Sequence, residues 1–145
     1  MAHTFVKEVM TKDVILIDSV KSVKDAAVLM DSNDVGSVVV TRDDIPVGIL
    51  TERDFVKRVA AVEKSFATPI SEVMSKPLIV IGPDDTVWDA AELMHGRSIH
   101  KLPVEDENKI VGMITTSDLV KICSMGSDSN MRNIVDQIML RMKNN

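Results

Sequence analysis

Val47-Gly48-Ile49-Leu50-Thr51-Glu52-Arg53-Asp54-Phe55-Val56-Lys57 returns 64 residues later as Val111-Gly112-Met113-Ile114-Thr115-Thr116-Ser117-Asp118-Leu119-Val120-Lys121. The same offset extends outward without a gap, so that Glu8 to Lys57 matches Glu72 to Lys121 at 19 of 50 positions. Composition alone would give roughly 3 such matches, so the chain is an internal duplication. Further identical blocks are Glu8-Val9-Met10 with Glu72-Val73-Met74, and Asp25-Ala26-Ala27 with Asp89-Ala90-Ala91. Each copy carries one core pattern and one polar pair, Thr51/Asp54 or Thr115/Asp118.

A copy of about 60 residues buries little core alone, so the two are expected to close on one another as one pseudo-symmetric unit of 145 residues. No apolar run approaches the 18 or so residues that cross a bilayer, and the start Met1-Ala2-His3-Thr4-Phe5 lacks the basic and apolar stretches of a secretory leader. Cys123 is the single cysteine, which excludes an internal disulfide and fits a reducing compartment. The expected location is cytoplasmic, with no membrane association. A net charge of -5 and 3% aromatic residues argue against a general nucleic-acid surface.

Within a copy, the apolar run Val14-Ile15-Leu16-Ile17 reads as a buried strand. Ser22 and Asp25 form a capping box ahead of Val23, Ala26, Ala27 and Met30 at helical spacing, a helix ending near Asn33. Ser37 to Thr41 and Pro46 to Leu50 read as strands around the turn Arg42-Asp43-Asp44. Thr51 opens a second helix with Phe55, Val56 and Val59 on one face. The second copy predicts a strand at Leu78 to Ile81, a helix from Thr86 to His95, strands at Leu102 to Glu105 and Ile110 to Ile114, and a helix from Thr115. The fold class is therefore α/β (α+β), with two tandem β-α-β-β-α repeats. The boundaries are residues 1–62, a linker at 63–69, residues 70–124, and a C-terminal amphipathic segment at 125–145.

Thr51-Glu-Arg-Asp54 and Thr115-Thr-Ser-Asp118 have the pattern of plain helix caps, as do Ser22/Asp25 and Thr86/Asp89. The first two differ in setting, because each follows a glycine-bearing strand directly. That places backbone N–H groups, a threonine hydroxyl and a carboxylate at a strand end, groups that suit a phosphate and a ribose diol. His3, His95 and His100 have no metal spacing and no cysteine or carboxylate cluster beside them. His100-Lys101 is a basic pair at the mouth of a strand; a solvated loop is the plain alternative. Met30, Met94, Met139 and Met142 read as core filling. No arranged nucleophile, acid-base pair or metal cluster points to an enzyme.

With these residues in place, the chain resembles a stand-alone pair of cystathionine β-synthase (CBS) domains, a Bateman module, from Val6 to Ile122. The resemblance rests on Val-Met-Thr at 9–11 and Val-Met-Ser at 73–75, on Asp-Ala-Ala in each first helix, and on two copies of Gly-x-x-(Ser/Thr)-x-x-Asp, at Gly48 to Asp54 and Gly112 to Asp118. The stretch Ile99-His100-Lys101-Leu102-Pro103-Val104 is similar to the phosphate-contacting His-Arg-Leu-Pro-Val of the nucleotide-sensing subunit of AMP-activated protein kinase, with lysine in place of arginine.

The resemblance implies a regulatory module that binds adenosine compounds such as AMP, ADP, ATP or S-adenosylmethionine in clefts between the repeats and signals to a partner protein. One cleft would take Thr51 and Asp54 with Ser75, Leu78, Ile99, His100 and Lys101, and Arg53 as a second phosphate contact. The other would take Thr115 and Asp118 with Thr11, Val14, Val35, Gly36 and Ser37. An adenine nucleotide is then a regulatory ligand rather than a required cofactor, and the cleft holding His100 and Lys101 should favour phosphorylated ligands. The resemblance also implies a homodimer through the helices. Val23, Ala27 and Met30, with Phe55, Val56, Val59, Leu119, Val120 and Ile122, are the candidate apolar faces, and Met131, Ile134, Val135, Ile138 and Met142 a further stripe. A dimerisation scaffold without a physiological nucleotide is the alternative, with nucleic-acid binding a minor one.

Overall fold

The computed structural model describes residues 4–125, together with 135, 136 and 140. Two compact units cut across the sequence copies: Val14–Ile79 forms one, and Met1–Asp13 with Val80–Asn145 forms the other. The opening segment of each copy thus belongs to the unit built mainly from the other copy.

In the unit Val14–Ile79, β1 (Leu16–Asp18) lies parallel to β2 (Ser37–Arg42), and β2 pairs antiparallel with β3 (Ile45–Thr51). The hairpin turns through Asp43 and Asp44 at φ 52° and 65°, a left-handed pair that short Asp side chains tolerate and that matches the twist of the strands. Between β1 and β2 runs α2 (Val23–Asn33). The Ser22 hydroxyl accepts from the Asp25 N–H at 3.1 Å, and the Asp25 carboxylate accepts from the Ser22 N–H at 3.0 Å. The Ser22 N–H foremost, and then the Ser22 hydroxyl, hold the Asp25 carboxyl below the usual carboxylate range. The helix ends where Asp34 turns left-handed at φ 52°. Val23, Ala26 and Met30 point inward at spacings of three and four and meet Val38, Val40, Leu50 and Val59. Ile70, Val73 and Met74, which follow the linker, complete this core. Each fully buried aliphatic side chain here contributes about 1.5 to 3 kcal/mol.

The other unit repeats the plan. The short helix α1 (Val6–Val9) inserts Val6, α4 (Val87–Arg97) carries its own Thr86/Asp89 capping box, and β4 (Lys101–Asp106) pairs antiparallel with β5 (Lys109–Thr115). The hairpin turn again uses two left-handed residues, Glu107 and Asn108. Then α5 (Thr116–Met125) follows β5 directly.

The structure corrects the sequence expectation in three places. The strand expected at Leu78 to Ile81 is only a single parallel bridge between Ile81 and Val104. Val39 donates its N–H to Ile15 O at 3.0 Å in the first copy, whereas Pro103 stands at the equivalent place and has no N–H to give. The helix opened by Thr51 is not uniform either: α3 (Glu52–Asp54) runs on as a π-helical stretch, Phe55–Ala60, closed by a 2.9 Å bond from Ala61 N–H to Val56 O. Finally, part of the apolar face assigned to assembly is core, since Val23, Met30, Val59 and Leu119 are buried. Ala27 and Val56 do face outward, and so does Val28. Of the C-terminal stripe, Met131, Ile134, Ile138 and Met142 lie outside the described residues, as do Met139 and His3, while Val135 is buried.

Candidate functional site

Each motif glycine marks a crossing of two chain segments. Ser75 and Ile49 exchange backbone bonds of 2.8 and 3.0 Å; Thr11 and Met113 do the same at 2.9 and 2.8 Å. A Cβ on Gly48 would stand 2.8 Å from both Met74 Sδ and Ser75 O, and one on Gly112 would run into the Met10 sulfur with Thr11 O at 3.0 Å. Neither glycine has a positive φ, so close approach rather than conformational freedom requires it. The crossing brings Ser75 and Thr11 to the ends of the two motif strands.

Beyond each glycine, the threonine and aspartate bond reciprocally. The Thr51 N–H and hydroxyl donate to Asp54 Oδ2 at 2.9 and 3.2 Å, and the Asp54 N–H donates to Thr51 Oγ1 at 3.3 Å. The second motif matches: the Thr115 N–H and hydroxyl reach Asp118 Oδ2 at 2.9 and 3.1 Å, and the Asp118 N–H returns to Thr115 Oγ1 at 3.3 Å. One carboxylate oxygen of each aspartate is thereby committed to its own helix start, and the other is the chemically interesting one.

That second oxygen differs between the motifs. Asp54 Oδ1 accepts the Ser75 hydroxyl at 2.9 Å and faces Arg58 Nε at 3.6 Å. Arg58 is anchored in turn, its Nη1 donating to Met74 O at 2.9 Å. Asp54 is 5% exposed under these partners. Thr11 and Ile122 are the equivalents of Ser75 and Arg58, and among the described residues nothing donates to Asp118 Oδ1. Asp118 is half-buried.

The other expected site residues divide by unit. Ser37 pairs with Thr51, and Gly36 O accepts the Glu52 N–H at 3.2 Å, so this pair adjoins the first motif. Lys101 pairs with Thr115, and His100 O accepts the Thr116 N–H at 3.0 Å, so the basic pair adjoins the second. Leu78, Val14 and Val35 belong with Thr51 and Asp54; Ile99 and Thr11 belong with Thr115 and Asp118. Arg53 is exposed and makes no hydrogen bond or ion pair among the described residues. A cavity of about 330 Å³ in the first unit is lined by Val35, Gly36, Glu52, Phe55 and the Ala27–Asp34 end of α2, but not by Thr51 or Asp54. Among the described residues, no group of three or more His, Cys, Asp or Glu side chains is placed to hold a metal. Sequence reading missed Arg58, although its place four residues after Asp54 on a helical stretch was a legible signal.

Comparison with known proteins bears on this arrangement. The family model of the CBS domain matches residues 6–61 and 70–124. The CBS domain-containing protein YhcV of Bacillus subtilis is 36% identical over 114 residues, spanning 79% of this chain and 81% of YhcV. The conserved CBS domain protein TA0289 of Thermoplasma acidophilum, of unknown function, superposes with a TM-score of 0.84 at 27% identity, over 98% of this chain and 78% of that one. The CBS domain pair of protein MJ0100, solved in complex with 5'-methylthioadenosine and S-adenosyl-L-methionine, gives a TM-score of 0.77 at 26% identity, over 86% and 98% of the two chains.

Proposed function

The chain belongs to the CBS domain family, a regulatory ligand-binding fold, and on that premise we propose that it senses adenosine compounds of the AMP, ADP and ATP class and passes the binding event to a partner protein. The observation that carries this reading is the duplicated carboxylate: Asp54 and Asp118 are each oriented through one oxygen by a threonine at a strand end, at 2.9 Å from the threonine N–H, and at Asp118 the other oxygen is left for a diol. A carboxylate held in one orientation before binding accepts vicinal hydroxyls with little further loss of freedom. The adenosine ligands of the MJ0100 pair support the same ligand class.

The proposed ligand sets follow the family pattern. One comprises Thr51, Arg53, Asp54, Ser75, Leu78, Ile99, His100 and Lys101; the other comprises Thr11, Val14, Val35, Gly36, Ser37, Thr115 and Asp118. The role is regulatory rather than catalytic, exercised in the cytoplasm, with no membrane attachment. Among the described residues no helix is long and apolar enough to cross a bilayer. S-adenosylmethionine is the competing ligand of the same class.

Self-association is a second role, favoured by one observation. Val28, Val56 and Phe66 are 57%, 63% and 69% exposed. Val28 and Phe66 flank a groove of about 430 Å³ beside Ala27 and Phe55. A homodimer would cover such a surface.

A thermal-shift screen of adenosine, AMP, ADP, ATP and S-adenosylmethionine tests the sensing role. A true ligand at 100 times its dissociation constant stabilises the fold by about 2.7 kcal/mol. A melting temperature unmoved by all five contradicts it.

A further inference from the structure

We infer that Arg58 sets the ligand selectivity of the Asp54 motif by occupying the carboxylate oxygen that a ribose diol needs, so that Asp118 is the open diol acceptor and Asp54 the guarded one. This inference rests on the proposed adenosine-binding role and adds which motif accepts an unphosphorylated ligand, and why.

The argument compares two copies of one motif. Both aspartates spend Oδ2 on their threonine with the same geometry, 2.9 Å from the N–H in each. They part at Oδ1. Asp54 Oδ1 has the Ser75 hydroxyl at 2.9 Å and the Arg58 guanidinium at 3.6 Å, and Asp54 is 5% exposed. Asp118 Oδ1 accepts nothing among the described residues, and the position equivalent to Arg58 is the apolar Ile122. A diol entering at Asp54 must displace the Ser75 hydroxyl that already satisfies a buried carboxylate and push aside the cation paired with it, whereas at Asp118 it meets an acceptor with spare lone pairs.

Arg58 is built to hold its position. Its Nη1 bonds Met74 O at 2.9 Å, with Val73 O at 3.4 Å, on the segment that also delivers Ser75 to the carboxylate. One guanidinium therefore ties the helical stretch, the Val73–Ser75 crossing and Asp54 together. The winding is π-helical at Arg58, while α5 keeps ordinary α geometry over the equivalent residues. π-helical turns inside helices are frequent at functional sites. Because Arg58 is half exposed, with 51% of its side chain open to solvent, it can swing away when a ligand brings enough binding energy of its own. Arg58 is thus a positioning and selectivity residue, acting through Asp54.

Adenosine and 5'-methylthioadenosine isolate the diol contact, because neither brings a phosphate. Calorimetric titration of the wild type, Arg58→Ile and Ile122→Arg with these two probes and with ATP tests the inference. The expected result is that Arg58→Ile gains adenosine affinity at the Asp54 motif by about tenfold or more, seen as a second binding event that an added Asp54→Ala removes. Ile122→Arg should weaken adenosine binding at Asp118 by a similar factor. Arg58→Lys should stay close to wild type in adenosine binding, since a merely structural staple would lose both carbonyl contacts while a charge guard would persist. Should Arg58→Ile not fold, Arg58→Gln removes the charge but keeps a donor for Met74 O, and the same gain is expected. ATP binding by all variants with an adenosine profile unchanged by Arg58→Ile or Arg58→Gln overturns the inference and leaves the sensing role standing. No binding of any probe by any variant overturns both.

Discussion

The Met74 sulfur lies where a side chain on Gly48 would have to go, 2.8 Å from the position its Cβ would take. The Ser75 carbonyl oxygen is equally close to that position, and it accepts the Ile49 N–H at 3.0 Å. Gly48→Ala must therefore disturb backbone as well as a flexible thioether. The expected cost is about 1 to 3 kcal/mol of stability, as for overpacking elsewhere. At Gly112 the closest atom is the Met10 sulfur, which can bend aside, with Thr11 O at 3.0 Å. Urea unfolding should show that Met10→Ala recovers much of the loss in Gly112→Ala, while Met74→Ala recovers little in Gly48→Ala. Equal rescue at both sites would contradict the distinction.

The two motif aspartates should separate stability from binding. Asp54→Ala strands the Ser75 hydroxyl and the Thr51 N–H and leaves Arg58 without its counter-charge, at about 1 to 3 kcal/mol for an unsatisfied buried group. Asp118→Ala removes a cap from a half-buried place and should cost about 1 kcal/mol. Either substitution should weaken binding of its own adenosine ligand by about 1.5 to 3 kcal/mol. Chemical unfolding gives the first comparison and calorimetry the second; wild-type binding in both mutants would remove the ribose role.

Much of this architecture is legible in the chain because a duplication reads twice. Ser22/Asp25 and Thr86/Asp89 announce α2 and α4, and the expected caps are present at both. What escapes the sequence depends on partners far along the chain. The missing strand before Ile81 follows from one proline, Pro103, standing where Val39 donates a bond. The satisfaction of Asp54 depends on Ser75, 21 residues away, and so cannot be read from the motif. Arg58 was within reach of local reasoning at four residues' distance, yet its anchor on Met74 O is a tertiary fact.

The α2 capping box predicts a pH dependence. Asp25 is held below its usual range chiefly by the Ser22 N–H and then by the Ser22 hydroxyl. A lowered carboxylate pKa stabilises the fold above the unfolded-state value of about 3.9, and that contribution disappears as pH falls through the folded-state value. Urea midpoints at pH 7 and pH 3 should therefore differ less in Asp25→Asn than in the wild type. An identical pH dependence would mean that the box contributes no proton-linked stability.

The exposed Val28, Val56 and Phe66 predict self-association. Multi-angle light scattering at micromolar concentration should report a dimer, and Val56→Glu should shift it towards monomer without unfolding it, since Val56 is 63% exposed. A monomeric wild type would rule out the second role.

The basic pair predicts which ligand set favours phosphates. His100 and Lys101 stand at the sequence positions that Gly36 and Ser37 hold in the first copy. Only the ligand set proposed for Thr51 and Asp54 therefore contains a lysine and a histidine. Contacts from such groups to phosphate are charge-assisted and about twice as strong as neutral ones. On the proposed assignment, the energy they contribute would oppose the cost of moving Arg58 aside, so that ATP should enter where adenosine does not. His100→Ala with Lys101→Ala should abolish the stronger ATP site, while adenosine binding at Asp118 persists. Unchanged ATP stoichiometry and affinity in the double mutant would mean that the pair is a solvated loop.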